Sequence, residues 1–92
     1  NDAKPLPWDQ ETGRFFRVLR VFDEYLASGA PIAAPAEKLF QGAIADSLTH
    51  IGQIAMLRRM HGAPIKGESY YRAEITAGRV GAEQAAPRRE FD

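Results

Sequence analysis

Two side chains four residues apart carry the chemistry legible in this sequence: Asp46 and His50, in the run Asp46-Ser47-Leu48-Thr49-His50. On an α-helix such an i,i+4 pair lies one above the other on a single face. A carboxylate and an imidazole so placed admit two readings. They hydrogen-bond to each other and fill a polar gap in a helix packing, or they act together as ligands of a metal ion. Oxygen with nitrogen is an acceptable donor set for several divalent metals. Gln53, three residues beyond His50, is either an amide placed to orient a ligand or a plain helix-surface residue. The other histidine, His61, falls at the far end of the same predicted helix and suits capping.

The element that must position the pair is a predicted helix over about residues 36–61. Pro35 suits the first helical turn and Glu37 lies near the positive end of the dipole. Arg58, Arg59 and His61 crowd the last turn, Gly62 can take the left-handed cap conformation, and Pro64 forbids continuation. With residues at about 100° intervals, Phe40, Ile44, Leu48, Ile51 and Ala55 form one apolar stripe. Leu39, Ala43, Ile54 and Leu57 form a second, and Asp46 and His50 fall inside it. Apolar positions over most of the circumference predict burial on several sides. An isolated carboxylate in such a stripe is very costly, so Asp46 needs His50 or a metal as its partner.

The run ADSLTHIGQIAMLRRMHGAPIKGES resembles the C-terminal half of the DinB/YfiT-like family, a superfamily of four-helix bundles. The likeness extends from about Trp8 to Glu83. Its members carry a divalent metal on three side chains, two of them from one helix at i,i+4. The second of these stands in an H-x-G-Q motif, here His50-Ile51-Gly52-Gln53. Asp46 takes the i−4 position, where many members have histidine. The family's third ligand belongs to an N-terminal half for which this chain has no counterpart. The resemblance therefore implies a divalent metal, Zn²⁺ or Ni²⁺, bound in the full-length protein and held weakly or not at all by this fragment. It also implies metal-dependent hydrolase or thiol-transferase chemistry on an unknown substrate.

The remaining segments fit a helical hairpin. Trp8 anchors the start, Asp9 is a candidate N-cap, and a helix over about 10–28 shows Phe15, Leu19, Phe22 and Leu26 at heptad-like spacing. Ser28-Gly29 with Pro31 ends it. The short link to residue 35 favours an antiparallel neighbour. Ser69 is placed to cap a short helix over about 69–77, where Tyr71 and Ile75 share a face. Residues 79–92 carry glycine, proline and charge, and read as a flexible tail. The expected fold class is all-α: an antiparallel hairpin forming half of a DinB-like four-helix bundle, plus a short C-terminal helix and tail, in one partial domain spanning residues 1–92.

Composition bounds the function classes. Twelve basic and twelve acidic residues cancel, which argues against a dedicated nucleic-acid binder. There is no cysteine, so no disulfide framework and no thiolate zinc site; this agrees with a cytoplasmic location. No apolar run is long enough for a transmembrane helix and no secretory leader is visible. The first residue is Asn, so the chain is expected to be processed, truncated or part of a longer one. A hairpin apolar on more than one face needs two further helices, from a second copy in a homo-oligomer or from a missing N-terminal half. Three functions stay open: a metal-binding domain, a non-catalytic helical dimerisation or interaction domain, and a small-molecule module with a cavity beside Asp46 and His50.

Overall fold

The computed structural model describes residues 4–91. They form α1 (Trp8–Ala27), α2 (Ala36–Leu39), a π-helical turn (Phe40–Ile44), α3 (Ala45–Met60), β1 (Gly67–Glu68) and β2 (Glu90–Phe91). About half of the described residues are helical. The chain divides into two compact units, Asn1–Ala30 with Glu74–Ala86, and Pro31–Ala73 with Pro87–Asp92.

In the first unit α1 begins at Trp8, with Pro7 as its N-cap, two residues before the predicted start. Asp9 lies in the first turn and makes no capping bond. Glu11 Oε1 accepts from the Leu6 N–H at 3.0 Å, just before the helix, and both carboxylates lie at the positive end of the dipole. The helix ends at Ala27, and Gly29 takes φ 74°, a conformation glycine adopts without steric cost. What accompanies α1 in its unit is the segment 74–86. The Arg20 guanidinium donates to the Val80 carbonyl at 2.6 Å, and the Gln84 amide donates to the carbonyls of Arg79 and Gly81 at 3.1 and 2.9 Å.

In the second unit α2, the π-turn and α3 run on as one helix over residues 36–60. It closes on two reverse bonds: the Gly62 N–H reaches the Arg59 carbonyl at 3.2 Å and the Ala63 N–H reaches Arg58 at 2.9 Å. With Gly62 at φ 78° this is a Schellman motif. Arg58 adds a bond from its Nε to the Ala63 carbonyl at 3.0 Å. The chain then enters β1, which pairs antiparallel with β2 in the register Gly67 with Phe91 and Glu68 with Glu90. The Ser69 N–H continues the ladder to the Arg89 carbonyl at 2.9 Å, and Glu68 Oε1 accepts from the Arg88 N–H at 3.0 Å. Lys66 Nζ and Glu90 Oε2 stand 3.7 Å apart.

This architecture corrects the expected fold class. The all-α antiparallel hairpin is not found among the described residues: each long helix has a non-helical C-terminal segment as its companion in its own unit, and a two-stranded sheet is present. The short helix expected over 69–77 does not form. Ser69 nucleates a single turn, its carbonyl accepting from the N–H groups of Arg72 and Ala73. Tyr71 and Ile75, the face that would have packed, are 95% and 78% exposed. Without packing, so short a helix cannot offset its nucleation cost, and β-branched Ile75-Thr76 adds to it. The C-terminal segment read as a tail ends in β2. The predicted core is likewise not assembled: no described residue of either unit is buried, and Leu48 and Ile51 remain 59% and 50% exposed. No helix among the described residues is long and apolar enough to cross a membrane.

Candidate metal centre

Consecutive turns at the start of α3 carry Asp46 and His50. His50 Nε2 lies 3.4 Å from Asp46 Oδ2, and His50 Nδ1 lies 2.8 Å from Gln53 Oε1. With Nδ1 donating to the Gln53 amide oxygen, Nε2 is the ring nitrogen on the side of Asp46. The helix itself sets this arrangement, because residues 46, 50 and 53 follow one another at spacings of four and three.

The 3.4 Å separation is longer than the N–H···O hydrogen bond of about 2.7–3.2 Å. Two donors that each sit about 2.0–2.1 Å from a tetrahedral ion are themselves about 3.4 Å apart. The separation is that of a loose exposed ion pair and equally that of two corners of a divalent site, and Gln53 Oε1 contacts the other ring nitrogen. Among the described residues no group of three or more His, Cys, Asp or Glu side chains converges for metal binding. His61 stands apart from the pair, at the C-cap of α3 with its N–H on the Leu57 carbonyl.

The surroundings differ from the expected stripe. Asp46 and His50 are exposed, at 72% and 63% of their side-chain surface, so desolvation does not force the pairing within this chain. Upstream, the π-turn changes which residues flank them. The Ala45 N–H is directed to the carbonyls of Phe40 and Gly42, and one extra residue in the turn rotates everything before it by about 100°. Leu39, placed beside Asp46 by a continuous helix, does not line the hollow beside it. Small residues take over: a hollow lined by Gln41, Gly42, Ala43, Ala45, Asp46 and Thr49 opens beside the carboxylate, and His50 is not part of its lining. The sequence carried one signal of this turn, Gly42, a poor helix former inside an otherwise continuous helix. No family model, curated protein or solved structure matches this chain.

Proposed function

We propose that this chain is part of a divalent-metal-binding helical domain of the DinB-like kind, in which Asp46 and His50 hold the ion and Gln53 orients the imidazole. The observation that carries the reading is the pair of contacts at His50, Nε2 at 3.4 Å from a carboxylate oxygen and Nδ1 at 2.8 Å from the Gln53 amide oxygen. A divalent ion such as Zn²⁺ or Ni²⁺ supplies Lewis-acid chemistry, which suits hydrolysis or thiol transfer. The protein's own part is to present the lone pair of Nε2 and the Asp46 carboxylate from one rigid helix face, with the hollow over Gly42 leaving room for a small substrate beside them. Two donors bind weakly, so one chain alone is a poor site and further helices are required to complete it. They come from a second copy or from an N-terminal portion of a longer protein. Balanced charge and the lack of cysteine fit a cytoplasmic domain that does not bind nucleic acid.

Calorimetric titration with Zn²⁺ and with Ni²⁺, on the wild-type chain and on Asp46→Ala and His50→Ala, tests the reading. Heat of binding that both substitutions abolish supports it. Affinity that neither substitution changes refutes it and leaves Asp46 and His50 as a surface polar pair.

A second reading, a non-catalytic helical dimerisation domain, is favoured by a different observation. Leu48, Ile51, Ile54, Leu57 and Met60 are all at least half exposed, and together they surround α3 with apolar surface.

A further inference from the structure

We infer that the site at Asp46 and His50 is completed by a second copy of this chain, whose own Asp46 and His50 supply the other two corners of a single tetrahedral ion on a two-fold axis. The inference rests on the metal reading above and names the partner that reading leaves open. Three observations carry it. First, one chain offers two donors at the separation of two tetrahedral ligands, and no third joins them among the described residues. A two-fold axis through the ion duplicates the pair and closes the set at four, an isologous arrangement. Two carboxylates and two neutral imidazoles then balance the charge of a divalent cation, so the closed site carries no net charge into the interface.

Second, the surface around the pair is apolar where a second helix would lie. Ile54 and Leu57, one and two turns beyond His50, are 53% and 50% exposed, and Met60 continues them at 72%. Third, the upstream side is stripped of bulk. Gly42 stands one turn before Asp46, and a Cβ built there meets nothing within 4 Å. An antiparallel crossing centred midway between residues 46 and 50 brings the hollow that borders Asp46, with Gly42 in its wall, to the edge of the contact twice by symmetry.

The test is a Zn²⁺ titration of the chain followed by sedimentation and by metal analysis of the separated species. One ion per two chains is expected, with the mass doubling from 10.2 kDa and reverting on chelation. His50→Ala should abolish both ion uptake and doubling. Gly42→Leu keeps both donor residues, and its Cβ meets nothing within 4 Å. Its helical circular dichroism should match the wild type, while the Zn²⁺ concentration needed for doubling rises at least about tenfold. One ion per chain without a change of mass overturns the shared site and leaves the metal reading standing. No ion uptake overturns the shared site. Doubling that Gly42→Leu does not affect overturns the antiparallel placement.

Discussion

The ring of Phe91 covers Gly67 so closely that a Cβ on Gly67 would come within 2.6 Å of two ring carbons. Residue 67 is therefore a glycine for want of space rather than for backbone freedom. Gly67→Ala must push the ring away. Because Phe91 is 56% exposed and close to the end of the described chain, it can move, and the cost should be about 1 kcal/mol, the low end for overpacking. The readout is local: the Ser69 N–H, bonded to the Arg89 carbonyl, should exchange with solvent about fivefold faster. Unchanged exchange would mean that Phe91 does not hold β2 against β1.

Gln53→Ala separates the two roles open to this amide. If Gln53 sets the His50 tautomer, its removal should weaken Zn²⁺ binding by about 10–100-fold while both donors stay in place. Nitrogen-15 chemical shifts of the imidazole should show the Nδ1 proton redistributed between the two ring nitrogens. A surface amide without this role would leave both affinity and shifts as in the wild type.

Arg17 and Arg20 look alike in the sequence, as basic residues on a helix face, and differ in the structure. Arg20 donates to the Val80 carbonyl at 2.6 Å and lies beside Gly81. Arg17→Ala should change stability by no more than roughly 0.5 kcal/mol. Arg20→Ala should cost about 1 kcal/mol, the ordinary net worth of a hydrogen bond. It should also speed proteolysis within residues 74–86. Denaturant melts with limited digestion would show it, and equal behaviour of the two variants would remove Arg20 from that role.

The parts of this chain that are legible from sequence are those decided by neighbours along the chain. Gly29 and Gly62 mark where helices stop because each takes a positive φ that few other residues tolerate. The His50–Gln53 contact follows from helical spacing alone. What escaped was decided by distant residues. Nothing in Gly67-Glu68 announces a strand, because its partner lies more than twenty residues on, at Glu90-Phe91. Ser69 has the local context of a helix cap, yet its N–H belongs to the ladder with Arg89. Loop length points to the next helix as the companion of α1, whereas segment 74–86 shares its unit, with Arg20 bonded to Val80. The π-turn escaped for a third reason: a one-residue insertion leaves the apolar pattern helical on both sides and shifts only their relative phase.

Leu48 and Ile51 supply the last test, because their contribution should depend on protein concentration. In the chain described here they are 59% and 50% exposed, so truncating either removes little buried surface. At concentrations where the chain stays single, Leu48→Ala and Ile51→Ala should each shift stability by no more than roughly 0.5 kcal/mol. If α3 is built to lie between other helices, the same residues become core on assembly, and each substitution should then cost about 2–5 kcal/mol. Thermal melts over a hundredfold range of concentration distinguish the cases, because association stabilises by mass action and the wild-type midpoint rises with concentration. The expected result is a wild-type midpoint that climbs and variant midpoints that lag further behind at each step. Parallel curves for wild type and variants would place both residues on a face that stays in solvent.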